Sequence, residues 1–225
     1  GVVASGSKEK ATQIMNGSLR IAALISIPCA LGMSVLSEPI LELFFNQAAS
    51  EMVAPLLSVL SISVFFVGML AITNSILQAH RFERKPIISM IAGSAVKLIS
   101  STVLIGTPSI GMYGAPIGNC LCYLTIMLFN FGFIAKHIGF TPSLKTVLIK
   151  PFVASLFCAL AAIGSFKLFS VFISGKTTVL LAIATAAVVY LFMIFIIKAV
   201  TKDDIMLLPK GNKIYGILQK AHLMK

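Results

Sequence analysis

The sequence predicts an all-α, multi-pass membrane helix bundle, and three observations predict it. Of its 225 residues, 58% are hydrophobic and only 11% are charged, against about 25% charged in soluble domains. The apolar residues gather into six continuous runs, each of the roughly 18 to 25 residues a spanning helix needs. The runs lack period-two alternation, which argues against a barrel. In hydrocarbon the backbone must satisfy its own polar groups, so such runs become helices.

The predicted spans are residues 19–36, 53–79, 86–105, 112–135, 151–173 and 177–197. Pro28 lies mid-span in the first, where it removes one helical hydrogen bond. Pro55 is placed in the first turn of the second span, where proline is tolerated. Pro86 and Pro151 open the third and the fifth. The segment 106–111, with Gly106, Pro108 and Gly111, breaks the helix between the third and fourth spans. Connections are short, so neighbouring helices run antiparallel. Gly114 and Gly118 follow the small-residue spacing that lets membrane helices approach closely.

The net charge of +11 resembles that of a nucleic-acid binder. Its distribution says otherwise. One side holds Lys8, Lys10, Arg20, Arg81, Arg84, Lys85, Lys136, Lys145 and Lys150, together with the six lysines from Lys198 onward, 15 of the 18 basic residues. The other side holds Lys167 and Lys176, with Glu38, Glu42 and Glu51 after the first span. This bias predicts both chain ends in the cytoplasm and no nucleic-acid partner. In the tail, Ile214, Ile217, Leu218 and Ala221 recur at helical spacing opposite Lys213 and Lys220. They fit either an amphipathic helix on the inner leaflet or a solvated basic tail. The sequence begins at Gly1 and shows no signal-peptide pattern, so the expectation is a piece of a longer reading frame.

Chemistry-bearing residues are few. Cys29, Cys120, Cys122 and Cys158 all fall inside apolar runs and read as small hydrophobes, so no disulfide, metal or cofactor is expected. His80, His137 and His222 sit in separate segments, and no catalytic constellation accompanies them. An enzyme is therefore not expected.

Lys97 stands out. Ten residues beyond Ile87, it lies about 15 Å deep in a core about 30 Å thick. Its stem reaches only ~6 Å, too short to snorkel out, and a mid-depth charge costs on the order of 3 kcal/mol. None of the predicted spans contains Asp or Glu. Lys97 can face a hydrated cavity and an anionic substrate, pair with a carboxylate elsewhere, or be held by backbone carbonyls or deprotonated. Asn74, Gln78, Asn119 and Asn130 are the other polar residues noted within spans, each able to bond across helices. Lys97 is the first candidate for substrate contact, with Asn74 and Gln78 as candidates for gate or headgroup contacts.

An ordered series of short patterns runs through the chain: Asn16-x-Ser18-Leu19-Arg20, Pro28, Glu38-Pro39-Ile40 and Leu43-Phe44-Phe45. Ile76-Leu77-Gln78-Ala79, Pro86, Gly93, Lys97 and Leu104-Ile105 follow. Gly111-Met112-Tyr113-Gly114-Ala115, Asp203-Asp204 and Leu207-Leu208-Pro209-Lys210-Gly211 complete it. Together they resemble the polysaccharide-transporter branch of the multidrug/oligosaccharidyl-lipid/polysaccharide exporter superfamily, of the stage V sporulation protein B and lipid II flippase type. The resemblance implies a fourteen-span, MATE-like transporter of two lobes, of which this chain is the last six spans. Residues 1–135 would then be second-lobe helices, 136–200 two additional spans and 201–225 a basic cytoplasmic tail. A missing N-terminal lobe would be the partner. The implied substrate is an isoprenoid-linked oligosaccharide or peptidoglycan precursor, moved across the cytoplasmic membrane by alternating access for cell-wall or polysaccharide biosynthesis, as in sporulation. Lys97 matches a position often basic in such proteins, which favours a cavity role. The alternatives are a cation-coupled multidrug exporter of the same superfamily, or a non-transporting truncated membrane fragment.

Overall fold

The computed structural model describes residues 2–172 and 176–197. The basic tail, with its amphipathic pattern, lies outside the described residues. The elements are α1 (Val2–Val35), α2 (Ser37–Glu42), α3 (Gln47–Ala79), α4 (Arg84–Ile105), a 3-10 turn at Gly111–Tyr113, α5 (Gly114–Ile138), α6 (Leu144–Phe172) and α7 (Lys176–Ile196). No strand occurs among the described residues. Among the described residues, six helices contain a stretch long and apolar enough to cross a membrane: Lys10–Val35, Gln47–Ala79, Arg84–Ile105, Gly111–Ile138, Val147–Val171 and Thr177–Ile196. The protein is a polytopic α-helical membrane protein.

Three helices begin well before the apolar runs indicate: α1 at Val2 rather than near Leu19, and α3 and α6 ahead of their prolines. Pro55 is the ninth residue of α3, and Pro151 the eighth of α6. For α3 the reason is local. Asn46 Oδ1 accepts a hydrogen bond from Ala49 N at 2.9 Å and caps α3, so a cap rather than hydropathy sets the start. Asn46→Ala is expected to cost about 1 kcal/mol, read as a lowered midpoint in thermal unfolding; an unchanged midpoint would mean the cap contributes nothing.

The other ends of α3 and α5 are also set locally. At the end of α3, Phe82 N donates to Leu77 O and Arg81 N to Gln78 O, both at 2.9 Å. This is a Schellman closure with Arg81, at φ 63°, in the left-handed position usually given to glycine. Gly139, at φ 70°, ends α5 behind Lys136, whose positive charge suits a helix C-terminus.

The long helices pack in a row rather than a closed bundle. The order is α4, α5, α3, α1, α6, α7, each packed chiefly on its neighbours in the row, with α2 lying against α3. Met15, Leu19, Ala23 and Ile27 of α1 meet Met69, Ile76 and Leu77 of α3 in the main core, which Ile134 and Val147 close from α5 and α6. A second core joins Ala154, Cys158 and Ala162 of α6 to Ala186, Tyr190 and Ile194 of α7. The edge helix α4 has only 11% of its span window buried, against 28–39% in the other spans. Ile87, Ile91, Leu98, Ile99 and Val103 are all exposed, as suits a helix bordered by lipid or another span.

Close approach holds α4 to α5. A Cβ at Gly114 would lie 2.6 Å from Ile105 N, and one at Gly93 would lie 2.3 Å from Ile126 Cγ1. The lack of side chains at these positions lets the two backbones meet. At the other end of the row, Pro28 brings no N–H to the carbonyl of Leu24, four residues earlier. The Tyr190 hydroxyl of α7 donates to that carbonyl instead.

Candidate functional site

Helix α5 organises the polar residues of the membrane interior. Asn119 and Asn130 are eleven residues apart, about 16 Å along the axis. Each meets a different neighbouring helix.

At the first position, Lys97 Nζ of α4 donates to Asn119 Oδ1 at 2.9 Å. Lys97 is exposed, and its partner is a neutral amide. The bond orients Nζ and brings no carboxylate to it. A charged group within a span calls for water or an anion.

At the second position, Asn130 is fully buried between α3 and α5. Its Nδ2 donates to Asn74 Oδ1 at 2.7 Å and to Thr73 Oγ1 at 3.2 Å. Such bonds hold membrane helices together. Asn130 Oδ1 is buried with no hydrogen-bond partner among the described residues, a desolvation cost of about 1–3 kcal/mol that the tight α3–α5 packing carries. Asn74, partly buried, is thus engaged through its Oδ1 across the α3–α5 contact. Gln78, one turn further along α3, is exposed. The structure thus separates the three sequence-derived candidates: Lys97 is on the α4–α5 seam, Asn74 is in the α3–α5 knot, and Gln78 is near the end of α3.

A hollow of about 270 Å³ lies beside the Lys97–Asn119 pair. Leu60, Ser61, Ser63 and Val64 of α3 line it from one side, Asn119 and Tyr123 of α5 from the other. Cys120 Sγ donates to Val59 O at 3.5 Å and ties the two helices at that level. Two larger hollows, about 540 Å³ between α1, α3 and α6 and about 440 Å³ between α1, α6 and α7, have almost wholly apolar walls. Sequence reasoning singled out Asn119 only as interhelical glue and missed Tyr123. The signal was available: the two are four residues apart and so share one helix face. Among the described residues no group of His, Cys, Asp and Glu could hold a metal ion, and all four cysteines are free.

Among the described residues, six apolar helices in a row, with Lys97 of α4 bonded to Asn119 of α5, define a multi-pass membrane protein. The profile of the lipid II flippase MurJ family matches residues 2–184, and the chain belongs to that family. It is 24% identical over 139 residues to the lipid II flippase MurJ of Bacillus subtilis (strain 168), a stretch covering 61% of this chain and 25% of that relative. The matched stretch thus spans about a quarter of the relative's length.

Proposed function

We propose that the protein moves a lipid-linked peptidoglycan precursor of the lipid II kind across the cytoplasmic membrane, without catalysing a covalent reaction. Membership of the MurJ family supports this, and the observation that carries it is the exposed Lys97 ammonium anchored on Asn119 at mid-span.

The physical obstacle is a phosphorylated sugar head in hydrocarbon. A fixed cation in a hydrated cavity offsets the desolvation of the phosphates, while the prenyl tail stays in lipid. In this reading Lys97 contacts the diphosphate and Gln78 contacts the headgroup at the inner end of α3, while Asn74 keeps α3 on α5. Residues 1–135 contribute to one lobe of an alternating-access transporter, and residues 136–200 add two flanking spans. A second lobe supplies the opposite wall, and both ends of the chain face the cytoplasm, as the placement of the basic residues favours.

The test is transport by the protein at full length, reconstituted in vesicles with a fluorescent lipid-linked precursor. Lys97→Met is expected to lower the rate at least about tenfold, equivalent to about 1.4 kcal/mol, with an unchanged amount of protein in the membrane. Transport at the unmodified rate would remove Lys97 from the site.

A further inference from the structure

We infer that the hollow beside Lys97 and Asn119 receives the sugar ring attached to the substrate's diphosphate, and that Asn119 and Tyr123 select for that sugar. This rests on the reading of Lys97 as the diphosphate contact.

The arrangement of polar atoms carries the inference. Asn119 belongs to both features: its Oδ1 accepts from Lys97, and the residue lines the hollow. With Oδ1 engaged, its Nδ2 is a spare donor. Tyr123, one turn further along the same face, adds a ring and a hydroxyl. Across the hollow, Ser61 Oγ donates to Ser58 O at 2.7 Å and Ser63 Oγ to Leu60 O at 2.6 Å. Their protons are committed and both serines are buried, so the free donors stand on α5. A sugar hydroxyl can accept from them. The Tyr123 ring and the aliphatic walls of Leu60 and Val64 suit the C–H face of a pyranose.

Size and position agree. About 270 Å³ is the room of roughly nine waters at ~30 Å³ each, enough for one substituted pyranose ring. The two larger hollows are almost without polar atoms in their walls and would leave sugar hydroxyls unpaired. Of these three hollows among the described residues, this one shares Asn119 with the Lys97 hydrogen bond, just as the first sugar of such a lipid adjoins its diphosphate.

The experiment uses the full-length protein in lipid nanodiscs and two probes: a bare polyprenyl diphosphate, and the same lipid carrying one N-acetylhexosamine. The unmodified protein is expected to bind the sugar-bearing lipid about tenfold more tightly. Tyr123→Phe should reduce that preference to about threefold. Val64→Trp, which fills the hollow, should abolish it. Both variants should bind the bare lipid as before, which also verifies that they fold. Lys97→Met should weaken both probes alike. No preference in the unmodified protein, or a tenfold preference surviving Val64→Trp, would overturn the sugar subsite and show another occupant there. Undiminished binding of the bare lipid by Lys97→Met would instead overturn the diphosphate reading.

Discussion

Gly114→Ala is expected to pry α4 from α5 and to lower stability by about 3 kcal/mol, the upper end of the range for overpacking. The new methyl would lie 2.6 Å from Ile105 N and 2.8 Å from Leu104 C. These are backbone atoms, and no side-chain rotation can relieve the clash. At Gly118 a Cβ would meet the Ser101 hydroxyl, which can turn aside. Because α4 packs almost entirely on α5, opening this seam also withdraws Lys97 from Asn119. Gly132→Ala is the control, since a methyl there meets nothing within 4 Å and should help the helix by up to about 1 kcal/mol. Thermal unfolding in detergent compares the pair. Equal stability of the two variants would show that the close approach at Gly114 is not a constraint.

Tyr190→Phe is expected to cost about 2 kcal/mol by leaving the buried carbonyl of Leu24 without a donor. The loss exists only because Pro28 cannot supply one. Restoring that N–H with Pro28→Ala should therefore make the tyrosine hydroxyl nearly redundant. In the Pro28→Ala background, Tyr190→Phe should cost no more than about 0.5 kcal/mol, the remainder of a hydrogen bond whose acceptor already has a donor. A double-mutant cycle measures this coupling directly. If Tyr190→Phe costs the same in both backgrounds, the hydroxyl is not acting as a substitute donor.

The six spans were legible because hydropathy alone decides which segments enter a bilayer, and Lys97 was legible because a charge at mid-depth is costly wherever its neighbours lie. Helix starts were less so. Pro55 and Pro151 marked the edges of apolar runs, while the helices extend back through polar residues that a cap such as Asn46 organises. Pro28 announced an orphaned carbonyl, but its donor, Tyr190, stands 166 residues from Leu24, beyond any local pattern. The order of helices in the row was hidden for a related reason. Helices apolar on every face carry no stripe that names their neighbours. Only the small-residue spacing of Gly114 and Gly118 pointed to a particular seam. Among the polar residues, Lys97 ranked ahead of Asn74 from the sequence; only packing shows that Asn74 is engaged by Asn130 and Lys97 by Asn119.

The row has a consequence for assembly during synthesis. Of the six long helices described, α1 and α3 emerge before the others and pack on each other at the centre. The next pair, α4 and α5, leaves as a hairpin and docks through α5 onto the free side of α3. The last pair, α6 and α7, docks through α6 onto the opposite side, against α1. Among the described helices, each addition meets a surface already in place, and none has to wedge between two earlier ones. The two hairpins also lie on opposite flanks, so a lesion that delays one leaves the landing site of the other intact.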